Sequence, residues 1–142
     1  MTIKLTSEEM RYITLFEGMT GARVHDCVIE DNGKGVIFVI KKGELGLAIG
    51  KGGNKIRRAR RVIGKSVNVI ERFDDFAEFL KNILAPANVK DIHVVEREGK
   101  RVAMVTVEKQ ERGMVIGTGG KKIQSAKKLA SRHYGIHDIL LV

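Results

Sequence analysis

The 142-residue chain contains no tryptophan, two tyrosines, one cysteine and one proline. So few flat rings cannot tile a surface on which successive bases stack, which argues against an aromatic stacking platform. The lone Cys27 lies in the apolar run Cys27-Val28-Ile29 and has no internal partner for a disulfide. A reducing, cytoplasmic setting is expected. No apolar run approaches the ~18 residues of a membrane span, and the opening MTIKLTSEEM does not read as a signal peptide. There is no C-x-x-C, and no pair of histidines four apart brackets a glutamate. His133 and His137 have that spacing, but Gly135 between them breaks the helix that would align them. Ser66, Ser125 and Ser131 lack the context of an activated nucleophile, and Asp74-Asp75 opens a helix, where acids favour the helix dipole. Neither an enzyme, a metal site nor a cofactor is expected.

Negative charge is scarce in particular places. The chain has 26 Lys+Arg against 17 Asp+Glu, a formal net charge of +9, which favours polyanionic partners and nucleic acid first. Lys51 to Lys65 holds seven basic residues and no acid; Lys121 to Arg132 holds five and no acid. Each window directly follows a cluster of glycines, Gly50-Lys51-Gly52-Gly53 and Gly117-Thr118-Gly119-Gly120.

The two windows belong to a repeat. At an offset of 67 residues, nine of the eighteen positions in 44–61 are identical, namely Glu44/Glu111, Gly46/Gly113, Ile49/Ile116, Gly50/Gly117, Gly52/Gly119, Gly53/Gly120, Lys55/Lys122, Ile56/Ile123 and Ala59/Ala126. Upstream, at an offset of 66, Glu30/Glu96, Gly33/Gly99, Lys34/Lys100, Val36/Val102 and Val39/Val105 also match. The chain is a tandem duplication, expected to form two domains, residues 1–73 and 74–142. Almost nothing separates Phe73 from Asp74, so the units are expected to pack together rather than hang on a flexible linker.

Each copy reads as α-β-β-α-α-β. In the first, Ser7 is the expected N-cap of a helix with Met10, Ile13, Leu15 and Phe16 inward, stopping at Gly18 or Gly21. Strands follow over 22–30 and 36–41, joined through Asp31-Asn32-Gly33. A short helix over 44–49 leads into the glycines. The next helix buries Ile56, Ala59, Val62 and Ile63, ends at Gly64, and a last strand, SVNVIERF, closes the unit. In the second, a helix carries Phe76, Phe79, Leu80, Ile83 and Leu84 on one face and is ended by Pro86. Strands DIHVVE and RVAMVTVE flank a Glu98-Gly99 turn, RGMVIG is the short helix, the longer one ends at Gly135, and HDILLV closes. Gly46 and Gly113 are expected to allow close helix packing, and Ile49, Ile116, Ile56 and Ile123 to be core.

Glycine loops that hold nucleotide phosphates have other spacings. In G-x-x-x-x-G-K-[ST] four residues separate the glycines, but only three lie between Gly46 and Gly50; Gly52 stands where a hydroxyl is needed, and Thr118 replaces the lysine. G-x-G-x-x-G lacks its final glycine, and no strand leads in.

What fits is I-G-x-x-G between two helices. Ile49-Gly50-Lys51-Gly52-Gly53-Asn54-Lys55-Ile56 and Ile116-Gly117-Thr118-Gly119-Gly120-Lys121-Lys122-Ile123 resemble the KH family of RNA-binding domains in its type II arrangement. The resemblance implies an α+β fold, a three-stranded sheet with helices on one face, and a loop that clamps about four backbone nucleotides. It implies RNA contact at Ile49, Gly50, Lys51, Gly52, Gly53, Asn54, Lys55, Arg57, Arg58 and Arg61, and at Ile116, Gly117, Thr118, Gly119, Gly120, Lys121, Lys122 and Lys128. The second clamp is expected to depend more on Lys121 and Lys122. Two such units in direct tandem are similar to the paired KH module of the NusA-like transcription factors, archaeal ones above all. That implies single-stranded RNA as partner and a role in elongation, termination or antitermination. These 142 residues include neither the polymerase-binding nor the OB-type domain of bacterial NusA, so contact with RNA polymerase carries over less well. A ribosome-associated or ribosome-assembly protein, or an accessory subunit of an RNA-processing enzyme, is the alternative reading. No membrane partner is expected, and a monomer is.

Overall fold

A computed structural model describes residues 3–142. It forms two compact units that divide between Phe73 and Asp74. The first runs α1 (Ser7–Thr20), β1 (Val24–Ile29), β2 (Gly35–Ile40), α2 (Leu45–Ile49), α3 (Asn54–Ile63) and β3 (Ser66–Glu71). The second repeats the order with α4 (Phe76–Leu84), β4 (Val89–Arg97), β5 (Lys100–Val107), α5 (Arg112–Ile116), α6 (Lys121–Tyr134) and β6 (Asp138–Leu141). In each unit the second strand lies central, antiparallel to the first and parallel to the third. The parallel pair requires a crossover, and the two helices flanking the glycines supply it.

In the first unit Tyr12 and Phe16 of α1, Val36, Phe38 and Ile40 of β2, Ala48 of α2, Ala59 of α3 and Val67 of β3 form the core. The Phe16 and Phe38 rings stack with centroids 4.2 Å apart. The second core gathers Phe76, Leu80 and Leu84 of α4, Ala103, Val105 and Val107 of β5, Val115 of α5 and Ile123, Ala126 and Ala130 of α6. Ala59 and Ala126 are fully buried in these cores, and their small side chains suit the close approach of helix and sheet.

Several local expectations need correction. The N-cap of α1 is Thr6, not Ser7: its hydroxyl accepts from the Glu9 N–H (3.1 Å) while the Glu9 carboxylate accepts from the Thr6 N–H (2.9 Å). This reciprocal box wins because Glu9 stands three residues after Thr6. Met10 is exposed; Tyr12 takes the inward position, and its hydroxyl donates to Glu8 (2.8 Å). Val62 is exposed, because the buried stripe of α3 is narrow and centred on Ala59. Gly46 and Gly113 crowd nothing: a Cβ on either would find no atom within 4 Å.

The offset of 66 also fails in the strands. Val36 and Val105 point into their cores, whereas Val102 and Val39 are absent from them. Strand β2 therefore matches β5 at an offset of 67, with Val36, Phe38 and Ile40 opposite Ala103, Val105 and Val107. A one-residue slip exchanges the two faces of a strand, so the identities at 66 do not mark equivalent places. The Glu98-Gly99 turn forms as expected, with φ of 52° and 77° at its two residues, the signature of a tight type I′ hairpin.

Candidate nucleic-acid interface

The two glycine loops have the same backbone. Gly50 has φ 77°, ψ 172° and Gly117 φ 79°, ψ 170°, a region essentially closed to residues with a Cβ. A Cβ at Gly50 would also come within 2.9 Å of Lys55 Cβ, and one at Gly117 within 2.7 Å of Lys122 Cβ. Gly52, Gly53, Gly119 and Gly120 are left-handed, with φ between 60° and 78°. All six glycines are thus required by the turn itself. Gly52 and Gly119 differ from the first pair in their surroundings: both are exposed, and a Cβ on either would meet nothing within 4 Å. That open space lets another backbone approach the loop closely.

The loop closes through Gly50 N–H to Gly46 O (2.9 Å) and Gly53 N–H to Gly50 O (3.1 Å), with the same distances for Gly117 to Gly113 and Gly120 to Gly117. A 3-10 turn over Lys51–Gly53, or Thr118–Gly120, then feeds the helix. The amides at the start of such a turn have no internal acceptor. The N-cap residues of α3 and α6, Gly53 and Gly120, have no side chain to cap them either. Each loop therefore presents backbone donors and the positive end of a helix dipole toward solvent, an arrangement suited to an anion.

The basic side chains divide into two groups. Lys55 Nζ donates to Thr20 O, at the C-terminal end of α1 (3.1 Å), and Lys122 Nζ donates to Ala85 O, just past α4 (2.9 Å). Both lysines thus hold their unit's first helix to the helix after the loop, a role that the shared Lys55/Lys122 identity did not disclose. Arg60 donates to Val67 O (3.3 Å), Lys65 to Gly33 O, and Lys127 pairs with Asp138 (3.2 Å). Arg57 folds back over the loop, its Nη1 donating to Gly52 O at 2.6 Å. Lys51, Arg58 and Arg61 are exposed with no partner among the described residues, and Lys121 has none either. Lys128 is exposed and Asn54 sits at the first turn of α3.

Ile56 packs against the first core and Ile123 is buried in the second, as expected, but Ile49 and Ile116 belong to neither core. Ile116 is 39% exposed, and on the same short helices Leu47 is 46% and Met114 44% exposed. Sequence reading missed Leu47 and Met114. Their signal was the density of apolar residues in a five-residue helix that can bury only one of them, Ala48 or Val115.

No group of three or more His, Cys, Asp or Glu that could hold a metal ion occurs among the described residues. None of the described helices is long and apolar enough to cross a membrane.

Comparison with known proteins agrees with this geometry. The KH domain profile matches twice, over residues 10–72 and 76–138. A probable transcription termination protein NusA from Methanococcus vannielii is 39% identical over 142 residues, covering 100% of this chain and 81% of that protein. One from Halobacterium salinarum is 38% identical over 141 residues, covering 99% of both. The crystal structure of APE1850 superposes with a TM-score of 0.84 at 32% identity, covering 97% of this chain and all of that one. The chain belongs to the KH domain family, as a tandem protein homologous to the archaeal NusA proteins.

Proposed function

We propose that the protein is a cytoplasmic, non-catalytic factor that binds single-stranded RNA through both glycine loops and acts in transcription elongation, termination or antitermination. The observation that carries this reading is the loop built twice, with uncapped amides, a helix N-terminus and an acid-free basic helix in one place. The relatives named as probable transcription termination proteins support the process assigned to it. RNA polymerase or ribosomal proteins are further partners of the assembled complex in this reading.

The test is fluorescence anisotropy with a random pool of 12-nucleotide RNA, against duplex RNA and single-stranded DNA. Lys51→Asp with Gly52→Asp, and separately Thr118→Asp with Gly119→Asp, places two carboxylates where phosphate would sit. Aspartate tolerates the left-handed region at a cost of about 1 kcal/mol, and the space is open, so circular dichroism should show an intact fold. Preference for single-stranded RNA, lost by at least tenfold in either variant, is the expected result. Equal binding of every polyanion, untouched by the substitutions, would reduce the loops to turns in a basic protein.

A further inference from the structure

The two loops share a backbone but not a charge. Beside the first, Lys51, Arg58 and Arg61 are exposed without a partner among the described residues, and Arg57 is held over the loop by the Gly52 carbonyl. At the corresponding positions of the second stand Thr118, Ser125, Lys128 and Gln124. Ser125 is buried, Lys127 is spent on Asp138 and Lys122 on Ala85 O, and Lys128 has an interaction of its own. Among the described residues of α6, Lys121 is the one cation left unengaged beside that loop. The second loop is flanked instead by two apolar side chains more than a third exposed, Met114 and Ile116, where the first has Leu47 alone beyond that limit.

We infer that the two clamps divide the work: the first supplies the salt-dependent grip on the RNA backbone, and the second holds its nucleotides by neutral and apolar contacts that survive salt. The inference rests on the RNA-binding reading above and deepens it. Each phosphate neutralised on a single strand contributes about −0.7 to the slope of log K against log[salt]. Three free cations at the first loop are therefore worth a slope of about −2, and one at the second about −0.7.

The deciding experiment measures anisotropy with the same RNA pool from 50 to 500 mM NaCl. Lys51→Gln, Arg58→Gln and Arg61→Gln together remove exposed, unpartnered side chains, so the fold has no reason to change. Their affinity loss should be largest at 50 mM and shrink about 100-fold by 500 mM. Lys121→Gln with Lys128→Gln should show a loss that shrinks no more than about 5-fold over the same range. Met114→Ala with Ile116→Ala should weaken binding by a constant factor at every salt concentration. Adding a cation to the second loop, Thr118→Lys, should steepen the slope by about 0.7. Equal flattening by the two sets of glutamines, or a Met114/Ile116 loss that disappears with salt, would overturn the division while leaving RNA binding intact. A wild-type protein that ignores single-stranded RNA would instead remove the reading beneath it.

Discussion

Replacing Lys55 by methionine separates two roles that a lysine next to a glycine loop can have. The structure gives its ammonium a partner inside the protein, the carbonyl of Thr20 at 3.1 Å. Thr20 ends α1 and is buried, so its carbonyl is one of the acceptors a helix terminus leaves unpaired. Methionine keeps the aliphatic stem against its neighbours and removes only the charged head. A hydrogen bond to a charged group contributes about 1.5–3 kcal/mol, and a cation at a helix C-terminus a further ~0.3–1 kcal/mol. Lys55 is only half-buried, so solvent screens part of both, and a net loss of about 1–2 kcal/mol is expected. For a unit of this size that lowers its Tm by about 5–12 °C. Lys122→Met should act alike through Ala85 O at 2.9 Å, but on the second unit. Thermal unfolding followed by circular dichroism, with RNA affinity measured well below the transition, reads both quantities. A Lys55→Met protein that melts with the wild type yet binds RNA tenfold more weakly would refute the structural assignment and return the residue to the phosphate site.

The glycines of one loop should differ in what they tolerate. Gly50→Ala must enter a backbone region that costs of order 1–3 kcal/mol and collide with the Lys55 side chain, whereas Gly52→Ala bears only the left-handed penalty of about 1 kcal/mol in open space. Urea denaturation should rank Gly50→Ala well below Gly52→Ala, and Gly117→Ala below Gly119→Ala in the second unit; equal losses would mean that the loop relaxes freely and its conformation is not held by the fold.

The order of elements and the two loops were legible because they leave local marks. Three glycines within four positions, repeated at a fixed offset ahead of a basic helix, follow from a backbone that only glycine can trace. What stayed hidden was non-local. The acceptors of Lys55 and Lys122 lie 35 and 37 residues away in sequence, and nothing in the composition of a basic helix marks which cation is tied down. Strand register failed for a related reason. A run such as Gly35–Ile40, buried on both faces, has no alternation to show which valines face the helices, so an alignment by identity slipped by one residue unnoticed. Tyr12 displaced Met10 because helical spacing alone admits either, and only the packed core chooses between them.

The residues that the two copies share can now be sorted by what holds them in place. The six loop glycines answer to dihedral angles, Lys55 and Lys122 to helix termini, Ala59 and Ala126 to packing. None of these needs RNA to explain it. Ile56 and Ile123 also answer to packing. Two of the remaining pairs have no such reason: Ile49 and Ile116 lie outside both cores, and Gly46 and Gly113 are exposed in ordinary helical backbone with empty space where a Cβ would go. A bare position beside a poorly buried isoleucine, on the helix that enters the clamp, is a surface kept clear of bulk, and a base lying against it accounts for both. Gly46→Leu tests this directly. Gly46 is exposed and a Cβ there meets nothing within 4 Å, and leaving glycine in a helix gains up to about 1 kcal/mol, so the variant should be at least as stable as the wild type. Its affinity for single-stranded RNA should nevertheless fall severalfold, and Gly113→Leu should do the same in the second unit. Stability that rises while binding fails cannot come from damage to the fold; binding that survives both substitutions would show that the RNA passes elsewhere.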